Sequence, residues 1–255
     1  MIANYHTHTP RCNHAVGSER EYAEKALEAG LQILGFSDHS PYIFPGDYYS
    51  RFRMRPEQLQ GYVDAVLALK EEYKGRLEIH LGLELEYYPG YLPDLLPILR
   101  DSPVEYALLG QHFVSNELDG IDSGWATEEG PLKTYCHSVM EAMETGLFTY
   151  FAHPDLMNYV GDRKIYRHYM RQVCRTAKSC GIPLEINLLG IAEGKHYPNR
   201  RFWEIAAEEG CPVILGRDVH NPKAFLEKET EGAALKLVEE LGLDLLETVQ
   251  LRPIK

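Results

Sequence analysis

Hydrophobic positions along the chain alternate between two periods. Stretches with apolar residues three and four apart, such as Tyr22, Ala23, Ala26 and Leu27, read as amphipathic helix, and several of them give way at a glycine to a short apolar run of strand character. Gly30 precedes the run 33–39, Gly75 precedes 77–84, Gly146 precedes 148–153, Gly181 precedes 183–187 and Gly210 precedes 212–218. Glycine suits the left-handed position that ends a helix, and Ser18 with Glu21 fits a capping box that starts one. The runs 3–8 and 106–113 complete seven expected strands, with helical stretches between most of them. Such alternation implies a parallel sheet with right-handed crossovers. At 255 residues, with no low-complexity linker, the chain is expected to form a single domain over 1–255, a TIM-like α/β barrel of seven βα units, (βα)7. The stretch 229–246 reads as a last helix, and 251–255 as a tail without an assigned element.

Barrels of this kind place their sites at the C-terminal ends of the strands, and here those ends carry imidazoles and carboxylates. His6 and His8 close the first strand, Asp38 and His39 the second, Glu84 and Glu86 the third, His112 the fourth, His153 the fifth, and Asp218 and His220 the seventh. Strand six ends in Asn187 and offers no ligand. Residues two apart on a strand face the same side, about 6.6 Å from Cα to Cα, so His6 with His8, and Asp218 with His220, can each converge on one ion. Imidazole with carboxylate suits Zn, Mn or Fe. Glu86 shares the face of Glu84 one step higher and competes with it for the ligand role, whereas His80 lies lower, towards the barrel bottom. His137, His168 and His196 fall in helix or loop contexts and read as structural or surface residues.

Composition narrows the partners. Lys and Arg total 26 against 38 Asp and Glu, a net charge of −12 that repels phosphate backbones and speaks against nucleic acid as partner. No apolar run is long enough to span a bilayer, and the first residues lack the pattern of a secretory signal, so a cytoplasmic protein without a membrane partner is expected. The cysteines are five, an odd number without a CxxC pair, and read as reduced thiols packed as small apolar residues. Tyrosine clusters at 42–49 and 87–91 leave a substrate lid, a subunit contact and plain loop packing open, and with them the oligomeric state.

The motifs together resemble the polymerase-and-histidinol-phosphatase (PHP) family, most closely its histidinol-phosphatase branch. The resemblance rests on His6-Thr7-His8-Thr9, His14, Ser37-Asp38-His39-Ser40-Pro41, Gly82-Leu83-Glu84-Leu85-Glu86-Tyr87, Gly110-Gln111-His112-Phe113-Val114, Ala152-His153-Pro154-Asp155 and Arg217-Asp218-Val219-His220-Asn221-Pro222, and spans residues 3 to about 225. It implies a distorted seven-stranded βα barrel and two or three divalent ions, Zn, Mn or Fe. One ion would take His6, His8, Glu84 and Asp218; a second Glu84, His112 and His153; a third His14, His39 and His220. His14 stands where many relatives have an acidic residue, and favours the histidinol-phosphatase branch.

The chemistry this implies is hydrolysis of a phosphomonoester, with the ions offsetting negative charge and an acidified water attacking phosphorus in line. Glu84, Asp218 and His153 are the expected catalytic residues. L-histidinol phosphate, an amino-alcohol phosphate of histidine biosynthesis, is the expected substrate, and its positive charge suits an acidic rim such as the loop Glu117-Leu118-Asp119-Gly120-Ile121-Asp122. Where many members of that branch carry Gly-Leu-Arg or Gly-Ile-Arg after strand six, this chain has Gly190-Ile191-Ala192. Arg163 and Arg200 are the cations expected to hold the phosphate, with Lys195 and Arg201 nearby. Asp155 or a metal-held water would protonate the leaving group. A phosphodiesterase or nucleotide phosphatase of the same family and a metal-free binding barrel are the competing readings. An amide or lactone hydrolase would want a lysine where Glu84 stands.

Overall fold

The computed structural model describes residues 1–118 and 120–254; Asp119 of the acidic loop and Lys255 of the tail lie outside the described residues. Eight parallel strands run in chain order through one sheet: β1 (Ala3–Asn4), β2 (Ile33–His39), β3 (Glu78–Leu85), β4 (Tyr106–Leu109), β5 (Phe148–Phe151), β6 (Leu184–Asn187), β7 (Pro212–Gly216) and β8 (Asp244–Leu245). Among the described residues eight α-helices accompany them: α1 (Glu19–Glu28), α2 (Leu59–Glu72), α3 (Leu92–Arg100), α4 (Glu129–Glu144), α5 (Arg163–Ser179), α6 (Leu188–Ala192), α7 (Arg200–Glu209) and α8 (Lys228–Leu241). The alternation read from the hydrophobic pattern is thus present, and the sheet curls into an incomplete barrel.

The local signals act as expected where chain geometry alone decides. The Ser18 hydroxyl accepts the Glu21 N–H and the Glu21 carboxylate accepts the Ser18 N–H, closing the capping box of α1. Gly210 ends α7 at φ 67°, a conformation that costs a side-chain-bearing residue steric strain.

Two expectations change. The strand count is eight, because Gly242, at φ 62°, stops α8 five residues before the expected end at 246. The chain then turns back, and Asp244 and Leu245 pair with Pro212 and Val213 at the start of β7. At the other end of β7 the chain meets β1's extension: Thr7 bridges Val219, with His8 N donating to Val219 O at 2.9 Å and Val219 N donating to His6 O at 3.1 Å. Residues flanking β8's neighbour therefore join β1 only at the upper rim, where His6, His8 and Asp218 lie.

The tail also finds a place. Side chains of Ala3, Tyr5, Tyr106, Leu108, Tyr150, Ala152 and Ile214 fill the barrel interior, and Val249 and Leu251 pack against them. Arg252 fixes this tail by donating from its backbone N to Thr149 Oγ1 (3.0 Å) and from its guanidinium to the carbonyls of Cys180 and Gly181. A larger apolar layer lies between the sheet and the helices. The tyrosine clusters pack against each other, with the Tyr42 and Tyr88 rings 5.0 Å apart and Phe44 5.1 Å from Tyr91.

Candidate metal centre

Nearly every strand delivers a polar side chain to the upper rim. Thr7 takes the bridge to Val219, so His6 and His8 on either side of it turn inward together. His39 is the last residue of β2 and is in register with Glu84 of β3. Gly110, just past β4, makes room for the Glu84 carboxylate: a Cβ there would come within 1.9 Å of Glu84 Oε1. His153 and Asp218 leave β5 and β7 with φ of 32° and 50°, left-handed values that cost a non-glycine residue about 1–3 kcal/mol and recur at functional sites.

These side chains meet around Glu84. Its carboxylate lies 2.9 Å from His39 Nδ1 and from His153 Nε2, 3.6 Å from His6 Nε2 and from His8 Nε2, and 3.8 Å from His112 Nε2. Asp218 Oδ1 lies 3.1 Å from His8 Nε2 and 3.5 Å from His6 Nε2. His220 stacks on His8 at 4.1 Å between ring centres and on His14 at 4.6 Å. The ligand atoms of His6, His8 and Glu84, of His6, His153 and Asp218, and of His8, His39 and His220 each fall within 4.8 Å of one another.

Further acceptors orient the imidazoles, and most of them carry no signal in the sequence. Glu185 of β6 is fully buried and lies 2.9 Å from His6 Nδ1, while Asn187 donates to both Glu185 (2.8 Å) and Asp218 (3.1 Å). Gly216 leaves the space for Glu185, since a Cβ there would lie 2.1 Å from Glu185 Oε2. Strand six therefore does serve the site, through a carboxylate two residues before its end, on the same face as Asn187. Glu86 is not placed as a ligand beside Glu84. It lies 2.7 Å from His112 Nδ1 and is paired with the buried Arg53 at 2.8 Å. With Nδ1 committed to a carboxylate or carbonyl, each such ring presents Nε2 inward as a lone pair.

The donor set fits divalent ions on the evidence of its own orphaned atoms. His6 Nε2, both ring nitrogens of His8, His39 Nδ1, Glu84 Oε2, Asp218 Oδ1 and His220 Nε2 are buried without a well-aligned hydrogen bond, although His39 Nδ1 and Glu84 lie 2.9 Å apart and His8 Nε2 and Asp218 3.1 Å apart. Isolated unsatisfied polar atoms cost about 1–3 kcal/mol each, and so many aimed at one another mark a cation site. Burial disfavours the Glu84 charge, yet the surrounding His39, His112, His6 and His153 hold its carboxyl well below the usual range. The same competition, settled by His6, His8 and His220, keeps Asp218 well below its own. Burial also opposes a charged His8, but Asp218, Asp38 and Glu84 overcome it and raise that imidazole to about 9. Burial, helped by His8, lowers His220 to about 3. Burial and the Asp38 carboxylate push the Cys12 thiol up to about 12.

Above the cluster opens a cavity of about 490 Å³, floored by Glu84, Asp218 and the outer imidazoles and walled by Phe52, Phe113, Leu156 and Tyr197. Lys195 and Glu193 line it, their charged groups 2.9 Å apart, and so does Asp122 of the acidic loop. Neither Arg163 nor Arg200 lines it, which corrects the expected phosphate contacts. Arg163 is the exposed first residue of α5, and Arg200, the exposed first residue of α7, is paired with Glu204 and Glu240. His196, expected to be a structural or surface residue, lines the cavity while bonding to Leu156 O at 2.8 Å. Asp155, one of the expected proton donors, is buried, does not line the cavity, and accepts Trp203 Nε1–H (2.9 Å) and the Asn199 N–H. In the acidic loop, Glu117 is buried against Arg53 at 2.7 Å.

Comparison with known proteins gives a consistent set of relatives. A family model described as PHP domain matches residues 4–188. The chain is 33% identical over 232 residues to a probable histidinol-phosphatase of Deinococcus radiodurans, covering 87% of each chain. It is 25% identical to the histidinol-phosphatase of Bacillus subtilis, covering 88% of this chain and 97% of the relative. Among solved structures it resembles histidinol phosphate phosphatase from Lactococcus lactis complexed with zinc, L-histidinol and phosphate, with a TM-score of 0.75 at 19% identity over 98% of this chain and 97% of that one.

Proposed function

The chain belongs to the PHP-domain family, and from that premise we propose that it is a metal-dependent phosphomonoesterase, a histidinol-phosphatase that converts L-histidinol phosphate and water to L-histidinol and phosphate. The observation that carries this reading is the cluster of buried, partnerless imidazole nitrogens and carboxylate oxygens beneath the cavity. His6, His8, Glu84 and Asp218 would hold one divalent ion, Glu84, His112 and His153 a second, and His14, His39 and His220 a third, with Zn, Mn or Fe as candidates. When bound, such ions supply positive charge against the phosphoryl oxygens and lower the pKa of water towards neutrality.

The protein's own contribution is placement and charge. Glu185, Glu86 and the Asp218 and Cys12 carbonyls fix the ring orientations of His6, His112, His220 and His14. Lys195, on the cavity wall, would take the phosphate-binding role, since neither Arg163 nor Arg200 lines the cavity. Asp122 and Glu193 offer carboxylates to the substrate ammonium, and Phe52, Phe113 and Tyr197 an apolar wall to its imidazole. The free thiols suit the reducing cytoplasm where this reaction would run.

Two measurements test the assignment. Histidinol phosphate is expected to exceed a chromogenic monoester, a diester and a 3′,5′-bisphosphate nucleotide in kcat/KM by on the order of 100-fold; preference for the diester or the nucleotide would overturn it. Lys195→Ala is expected to raise KM about tenfold, the equivalent of roughly 1.4 kcal/mol, with a smaller effect on kcat. An unchanged KM removes Lys195 from the phosphate contacts.

A further inference from the structure

Cys12 stands apart from the other cysteines. It is fully buried at the end of the 3-10 turn Pro10–Cys12, directly after the His6–His8 segment. Its sulfur lies within 4.8 Å of a ring nitrogen of His14 and of His220, which lie within that distance of each other. Asn13, between Cys12 and His14, adopts a left-handed φ of 69°, a reversal that brings the side chains on either side of it to one point.

The two imidazoles are prepared alike. His14 Nδ1 lies 2.8 Å from the Cys12 carbonyl and His220 Nδ1 3.1 Å from the Asp218 carbonyl. A carbonyl only accepts, so each Nδ1 bears the proton and each Nε2 offers a lone pair. His220 Nε2 is buried and partnerless, and so is the adjoining His8 ring, 1% exposed, whose ligand atom also clusters with Cys12 and Asp38. The backbone N–H groups of His14 and Ala15 donate to the sulfur and offset part of the burial and of the Asp38 charge that hold the thiol protonated; a bound cation would supply the remaining positive charge. Ligand-to-ligand separations around a tetrahedral zinc with sulfur and nitrogen donors are roughly 3.5 Å, within reach of small side-chain rotations here.

We propose that Cys12 is a sulfur ligand to the ion held by His14 and His220, so that the outermost ion position has a donor set containing thiolate. This rests on the metal-dependent reading above. Binding replaces the S–H bond by a sulfur–metal bond and releases the proton to water. Thiolate is a soft donor, so this position prefers Zn, Fe(II) or Co(II) to Mn(II) or Mg(II).

The test uses the full-length protein, stripped of metal and titrated with Co(II). Wild type is expected to show visible ligand-field bands and an intense near-ultraviolet sulfur-to-cobalt charge-transfer band. Cys12→Ser is expected to keep the former and lose the latter, and to bind its weakest zinc ion about tenfold less tightly with Mn(II) binding little changed. Cys12→Ala serves the same comparison should the serine variant fold poorly. Ligand-field bands without a charge-transfer band in wild type would overturn the sulfur ligand and leave the phosphatase reading intact. A charge-transfer band that survives both substitutions assigns it to another thiol and also overturns the proposal. Absence of any cobalt spectrum overturns both readings.

Discussion

Glu84→Gln is expected to lower kcat by about 10³-fold or more, a loss of roughly 4 kcal/mol of transition-state stabilisation, and to reduce the bound divalent metal. The substitution is nearly isosteric, and the space opened by Gly110 accommodates an amide as well as a carboxylate. What changes is charge. Among the described residues the Glu84 carboxylate lies within 4 Å of His6, His8, His39, His112 and His153 alike, so it is the common anion of the first two expected ion positions. Two divalent cations at such spacing repel strongly in a buried site, and a shared carboxylate offsets that repulsion. An amide offers one neutral oxygen and turns an NH2 group towards imidazole nitrogens that already lack partners. Steady-state kinetics and elemental analysis check the outcome. Activity within tenfold of wild type, at full metal content, would remove Glu84 from the centre of the mechanism.

How much of this was legible in the sequence depends on whether the deciding contact is local. The H-x-H and D-x-H pairs could be read because a strand has period two and because barrel chemistry sits at strand ends. The capping box at Ser18 and the helix-ending glycines follow from local backbone geometry in the same way. Glu185 is not legible because its partner, His6, is 179 residues away, and a carboxylate inside a strand looks the same whether it faces core or site. Glu86 was read by parity alone; Arg53, arriving from a long loop, decides its role. Arg163 and Arg200 lie in the segments that follow strands five and six, but each opens a helix and is exposed. The strand β8 and the sealing tail depend on Gly242 and on docking into a barrel bottom that exists only after folding. The sequence also presented Cys12 as one more apolar thiol, because nothing local shows that His220 folds over it.

Removing the divalent ions is expected to abolish hydrolysis and to lower the thermal midpoint by about 10 °C, with both effects reversed on adding Zn, Mn or Fe(II). The stability half follows from the same orphaned atoms that identify the site. In the ion-free protein the inward nitrogens of His6, His8 and His220 and the inward oxygens of Glu84 and Asp218 are buried without aligned hydrogen bonds. Ions that bind the folded chain and not the unfolded one add about 4 kcal/mol when present at 1,000 times their dissociation constant, and in a domain of this size each kcal/mol moves the midpoint by roughly 2–4 °C. The positive φ values of His153 and Asp218 work in the same direction, since strained backbone persists only where its surroundings over-determine it. Bound ions would add that constraint at both positions. Scanning calorimetry on chelator-treated and reconstituted protein, with metal content measured in parallel, reads both halves at once. A midpoint and a rate that stay unchanged as the metal content falls to near zero would mean that the cluster packs as a metal-free polar core, and the phosphatase assignment would fall with it.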